Sequence, residues 1–135
     1  MTIEEAKATF MEMAKNCAAE TGATPEEIAE LKSHEVPEMR GTKCLAACIY
    51  KGVGIIKGGK YSAEGLLNAG KMVYDEGSPQ FEKIKEISMA CDAEVSGSDE
   101  CEVAASAIAC ELPKIKAAGF EIPAAMSEAE TKALL

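Results

Sequence analysis

The most reactive groups in this sequence are six thiols, and two of them, Cys44 and Cys48, stand four residues apart. On a helix that spacing puts both on one face. Their β-carbons then lie farther apart than the roughly 4 Å a disulfide requires, so each must reach a different, distant partner if oxidised. Cys101 and Cys110 are nine positions apart. They fall on opposite sides of a continuous helix of about 3.6 residues per turn and cannot pair with each other either. Six cysteines allow 15 connectivities, and several survive these two exclusions. An even number of cysteines in a short chain points to three disulfides and an oxidising compartment. The alternative is a cytosolic chain with reduced or zinc-bound thiols, but zinc knuckles use Cys-x2-Cys pairs, and none occurs. In the chain-entropy model each closed loop contributes on the order of 3–4 kcal/mol.

The other candidate chemistry is thin. His34 is the single histidine and lies beside Glu35 in a connector; the expectation is a solvated side chain. Gly52-x-Gly54 and Gly58-Gly59 lack both the preceding strand and the Gly-Lys-Ser/Thr of a phosphate loop. They are expected to end a helix and form a mobile loop over a cavity mouth. Glu4-Glu5 and Glu26-Glu27 are first-turn helix acids rather than an acid–base couple. No nucleophile–base constellation is present, so the expectation is a protein that is not an enzyme and needs no cofactor or metal.

These groups must be held by a fold. The chain has 135 residues, enough for one domain spanning 1–135 with a real core. Apolar residues make up 47% and run throughout, with a net charge of -9. That charge argues against nucleic acid and anionic membranes, which need a basic footprint. No apolar run approaches the ~18 residues of a membrane helix, so no stable membrane insertion is expected. Met1–Glu5 has no basic start and no apolar stretch of a signal peptide; the chain reads as a mature secreted form with an added Met1.

Periodicity is helical throughout, and the fold class is all-α. Thr2 caps a first helix that Gly22 ends; Thr24-Pro25-Glu26-Glu27 opens a second that stops near Ser33. Glu35–Gly41 is a connector. Thr42 caps a third helix carrying both central cysteines, closed by Gly58-Gly59. Ser62 caps a fourth running to about Asp75. The fifth follows Gly77-Ser78-Pro79, and the sixth starts at Ser98 with a kink or break at Pro113. Ser127-Glu128-Ala129-Glu130 is a capping box that could open a seventh. No strand pattern competes.

The full spacing is Cys17, 26 residues, Cys44, three, Cys48, 42, Cys91, nine, Cys101, eight, Cys110. This resembles the six-cysteine pattern of insect odorant-binding and pheromone-binding proteins, whose three- and eight-residue gaps are fixed. The resemblance covers Cys17 to Cys110. It implies the pairing Cys17–Cys48, Cys44–Cys101 and Cys91–Cys110, and a disulfide-stapled bundle of six helices around an apolar cavity. It also implies a secreted carrier of small hydrophobic, odorant- or pheromone-like ligands, with a membrane receptor as the further partner at delivery. Neither the ligand nor the oligomeric state follows from it.

For the cavity wall, the resemblance points to Phe10, to Phe120 from the chain tail, and to Tyr50 at a place where a related protein uses a smaller hydroxyl. Tyr74 is a second polar handle, and Leu66, Ile87 and Ile108 complete the expected lining. Met11, Met13, Met39, Met72, Met89 and Met126 suit a pliable wall, more aliphatic than aromatic, since there is no Trp. The loop Gly52–Tyr61 holds no histidine, so a histidine switch there, as in some moth relatives, is not expected. Glu121, Glu128 and Glu130 would have to lose charge before the tail could enter a cavity, which would make insertion acid-triggered. The runner-up reading is a secreted interaction or structural module on the same scaffold, with a filled core and no small ligand.

Overall fold

The computed structural model describes residues 1–33 and 35–119. His34, Phe120, the tail glutamates and the expected seventh helix lie outside the described residues. The elements are α1 (Ile3–Thr21), α2 (Pro25–Lys32), α3 (Arg40–Gly52), β1 (Ile56–Lys57), β2 (Lys60–Tyr61), α4 (Ala63–Lys71), α5 (Pro79–Glu94) and α6 (Glu100–Ala118). This is the all-α bundle the periodicity predicts.

Local chemistry explains most helix starts. Thr2 and Thr24 each close a full capping box: their hydroxyls accept the N–H of Glu5 and Glu27, and those carboxylates accept the threonine N–H in return. Pro25 and Pro79 occupy the first helical position, where a missing N–H costs nothing. Gly22 ends α1 in the left-handed conformation, at φ 71°.

Three boundaries and one proline differ from expectation. Helix α3 starts at Arg40, and Thr42 is not its cap. Glu30 reaches over from α2 instead, its carboxylate accepting the N–H groups of Glu38 and Met39, each at 3.1 Å. Thr42 is buried inside the helix, its hydroxyl donating to the Glu27 carbonyl oxygen at 3.1 Å. Helix α4 stops at Lys71 rather than Asp75; Met72 and Val73 turn their N–H to the carbonyls three residues back, at Ala69 and Gly70, which tightens the last turn. Asp99, not Ser98, caps α6; its carboxylate accepts the Glu102 N–H at 3.0 Å. Pro113 does not break α6. The carbonyl it leaves without a partner belongs to Ala109, on the exposed side where water can serve it.

The fourth-helix approach also contains something the periodicity missed. Gly58-Gly59 does not close α3 but turns a two-stranded antiparallel hairpin, pairing Ile56 with Tyr61 and Lys57 with Lys60. Both glycines have positive φ, 59° and 78°, the demand of a tight hairpin turn. The hairpin hangs from the end of α3 through the Ile55 N–H to Tyr50 carbonyl bond, at 2.8 Å. Gly65 lets α4 lie directly against it, since a Cβ there would overlap the Gly54 carbonyl oxygen.

Helix α3 is the hub. One side packs with α1 and α2 through Ala14, Cys17, Ile28, Leu45 and Ile49. The other packs with α6 and β1 through Ala46, Ala47, Ile56, Val103 and Ala104. The alanines let the two backbones approach closely. Three disulfides fix the arrangement: Cys17–Cys48 joins α1 to α3, Cys44–Cys101 joins α3 to α6, and Cys91–Cys110 joins α5 to α6. A row of ion pairs runs along the α3–α6 seam, with exposed Arg40 on Asp99 and Glu102, half-buried Lys43 on Glu102, and exposed Lys51 on Glu100. Exposed pairs contribute about 0–1 kcal/mol each, so they set register more than stability.

Candidate functional site: an apolar pocket with a buried glutamate

Ile108, Leu112 and Ile115 recur at helical spacing on the inner face of α6. Glu111 shares that face and is only 3% exposed. A carboxylate cannot be buried without partners, and two elements supply them. Tyr50, on the last turns of α3, donates its phenol proton to Glu111 Oε1 at 2.6 Å. Tyr61, carried by the hairpin, donates to Oε2 at 2.8 Å. The hairpin therefore has a purpose the helices alone cannot serve: it brings a second hydroxyl to the acid. Cys110, the neighbour of Glu111, is tied to Cys91, which fixes the turn that carries the carboxylate.

Burial pushes the Glu111 carboxyl above the ordinary glutamate range, against the pull of the two phenol hydrogen bonds. Burial, and then the Glu111 charge, push both tyrosine hydroxyls upward as well. These phenols keep their protons at any physiological pH.

An interior pocket of about 100 Å³, partly open to the surface, adjoins this cluster. Phe10 of α1 and Leu31 of α2 form one side. Ala46, Ile49 and Tyr50 of α3 and Ile108, Glu111, Leu112 and Ile115 of α6 form the rest. Exposed Glu35 stands at the rim. The Lys32 ammonium lies over the Phe10 ring, 4.3 Å from its centre, a cation–π contact. The pocket is smaller than the ~150 Å³ that admits benzene in an engineered cavity. A longer ligand must displace lining side chains. A second, larger concavity of about 840 Å³ is an open groove between α5 and the end of α6, lined by Lys83, Glu86, Ile87, Ala90, Lys114 and Ala117 among others.

Of the residues expected at the wall, Phe10, Tyr50 and Ile108 meet around the interior pocket. Leu66 and Ile87 do not. They pack about the Cys91–Cys110 bond because α4 stacks on α5 rather than on α3, and Ile87 also touches the open groove. Tyr74 is half-buried in the turn after α4 and lines neither concavity. The methionine wall is not found among the described residues. Met39, Met72 and Met89 are exposed, and Met13 packs beside the Cys17 cluster and Gly52. The pocket wall is instead mainly Leu and Ile. Glu111 was missed. Its signal was available, as the one acid on the α6 face defined by Ile108, Leu112 and Ile115.

Glutamine at 111 removes the buried charge and keeps an acceptor. In the wild type the folded-state pKa is raised, so the folded chain holds its proton more tightly than the unfolded one. Stability from this group is then fully present below the unfolded glutamate pKa and is lost as pH rises through the folded one. Glu111→Gln should therefore gain on the wild type as pH rises from 4 to 8 in urea melts; a stability difference independent of pH would contradict the buried charge.

The helical order, the three disulfides and the interior pocket define a disulfide-stapled helical bundle with a small apolar pocket. A model of the PBP/GOBP family matches residues 1–113. This chain belongs to that family. It is 32% identical over 112 residues to general odorant-binding protein 19d of Drosophila melanogaster, covering 82% of this chain and 75% of that protein. With general odorant-binding protein 28a of the same fly it shares 31% identity over 102 residues, 75% of this chain and 71% of the other. The solved structure of the 28a protein superposes with a TM-score of 0.74 at 28% identity, over 88% of this chain and 99% of that one. Odorant binding protein 5 of Apis mellifera gives 0.73 at 20% identity, over 90% and 98% of the two chains. The fatty acid binding protein OBP56a from the oral disk of the blowfly Phormia regina gives 0.66 at 20% identity, over 84% and 95%.

Proposed function

We propose that this chain is a secreted carrier that takes up one small hydrophobic molecule reversibly, in the pocket between α1, α3 and α6, and leaves it chemically unchanged. The observation that carries the reading is the convergence of Phe10, Tyr50, Ile108 and Glu111 on one interior pocket. Family membership supports the carrier class. Three disulfides suit an oxidising compartment, and no described helix is long and apolar enough to cross a membrane. Chemistry on the cargo is disfavoured by the site itself: tyrosines whose protons are held this firmly are poor general acids and poor nucleophiles at neutral pH.

The small pocket volume is the one observation that favours the runner-up, a secreted interaction module whose core is simply filled. A single titration separates the two. A carrier should bind a fluorescent apolar naphthylamine probe at micromolar concentration and release it to competing small hydrophobes. Ile108→Trp, which fills the pocket, should weaken that binding at least about tenfold, the equivalent of ~1.4 kcal/mol, with the helical spectrum retained. No probe binding by the wild type would sink the carrier reading; unchanged binding by Ile108→Trp would sink this location for it.

A further inference from the structure

The pocket's polarity is one-sided. Apart from exposed Glu35 at the rim, its polar side chains are Tyr50 and Glu111. A phenol has one proton and a carboxylate has none. The Tyr50 proton is committed to Glu111 Oε1, at 2.6 Å. The other oxygen, Oε2, already accepts the Tyr61 proton at 2.8 Å. Neither bond exhausts an oxygen's capacity, because each carboxylate oxygen accepts about two hydrogen bonds and the phenol oxygen keeps its lone pairs. So the polar wall of the pocket offers acceptors and no free donor. The remaining lining side chains, Phe10, Leu31, Ala46, Ile49, Ile108, Leu112 and Ile115, carry no polar atom at all.

The charge is one-sided too. Among the described residues, the influences on the Glu111 carboxylate are burial and the two phenols, with no cation among them. The two neutral phenols satisfy its hydrogen bonds without cancelling its charge. Of the charged groups nearby, Asp92 of α5 acts on Tyr61, Glu35 stands at the rim, and the Lys32 ammonium lies over the Phe10 ring without being among the influences on Glu111. A buried carboxylate is best compensated by a cation that also donates hydrogen bonds.

We propose that Tyr50 and Glu111 are the polar anchor of this pocket, and that they select a short apolar molecule with a hydrogen-bond-donating head group. A primary amine in its ammonium form is the preferred member, ahead of an alcohol; head groups that only accept, such as aldehydes and esters, and anionic carboxylates are rejected. This rests on the carrier reading above and sharpens it. An ammonium supplies both the missing donors and the missing positive charge. An alcohol supplies one donor. An aldehyde leaves both acceptors facing another acceptor, and a carboxylate sets like charges together at short range. The small volume restricts the apolar part to a short chain.

The test is a head-group series of equal chain length, hexylamine, hexanol, hexanal and hexanoate, displacing the apolar probe at neutral pH and physiological salt. The wild type should bind hexylamine at least about tenfold more tightly than hexanal or hexanoate, with hexanol between. Glu111→Gln should collapse the amine-to-alcohol ratio about tenfold. Ile108→Trp should abolish the amine's effect. Equal affinities across the series would overturn the proposal while leaving the carrier reading standing, because the probe still binds. Amine binding that survives Ile108→Trp would also overturn it, as pairing with acids on a surface of net charge -9. Absence of any probe binding would remove both readings. Should Glu111→Gln fail to fold, the wild-type series together with Ile108→Trp decides.

Discussion

Replacing Cys44 and Cys101 together by serine should remove about 4 kcal/mol of stability, from the loop-length dependence of chain entropy. The bond between them closes a span of 57 residues, the longest of the three. It joins the hub helix to α6 across a seam otherwise held by small side chains and exposed ion pairs. The exposed pairs cannot substitute for it, at about 0–1 kcal/mol each. For a domain whose whole stability is about 5–15 kcal/mol, this loss should lower the melting temperature by roughly 15 °C. The Cys91–Cys110 bond closes a loop of only 19, and breaking it should cost less, about 3 kcal/mol. That second variant has a different signature, because Cys110 adjoins Glu111. Its probe affinity should fall more than its melting temperature suggests. Calorimetry of both double variants checks the order; a larger loss at Cys91–Cys110 would show that strain or local packing, not loop entropy, dominates.

Leu45→Ala should cost about 3 kcal/mol, in the middle of the range for emptying a closed core site. Leu45 is 1% exposed and lies where α1, α2 and α3 meet, packed with Ala14, Cys17, Ile28 and Ile49. The Cys17–Cys48 bond holds the surrounding backbone, so the site cannot collapse to refill the space. A control at Leu66, only partly buried beside the Cys91–Cys110 cluster, should lose roughly 1 kcal/mol by the area it buries. Urea unfolding with unchanged slope would attribute the difference to stability alone. Equal losses at the two leucines would contradict the hub role of α3.

The parts of the fold that were legible in sequence are those whose chemistry is local. Thr2 and Thr24 declare their helices because the residue that caps and the residue that answers it are three positions apart. Ser62 and Ser78 likewise announce their own helices, each accepting an N–H three residues on. Thr42 looked equivalent and was not, because α3 starts two residues earlier without a side-chain cap, and Glu30 of another helix holds the N–H groups of Glu38 and Met39 that lead into it. Strands of two residues show no alternation, so the hairpin left only Gly58-Gly59 as a trace, and that trace reads equally well as a helix end. Pro113 carries the usual breaking signal, but the side of α6 it affects faces water. At the pocket, Phe10, Tyr50 and Ile108 were within reach of pattern and resemblance. Glu111 shares the apolar face of Ile108, Leu112 and Ile115, but that signal is easily passed over, because an acid in an amphipathic helix is ordinarily assigned to the solvent face. Only the distant hydroxyls of Tyr50 and Tyr61 make its inward position tenable.

The positions of the disulfides also decide which wall of the pocket can give way. Helices α3 and α6 are welded to each other and to their neighbours at Cys44, Cys48, Cys101 and Cys110. Helix α1 is pinned only at Cys17, and Phe10 lies two turns out from that pin. The bundle is thus a vice with one fixed jaw and one hinged jaw. Phe10, braced by a cation rather than a covalent bond, is the face of the hinged one. Room for a cargo larger than the pocket has to come from α1.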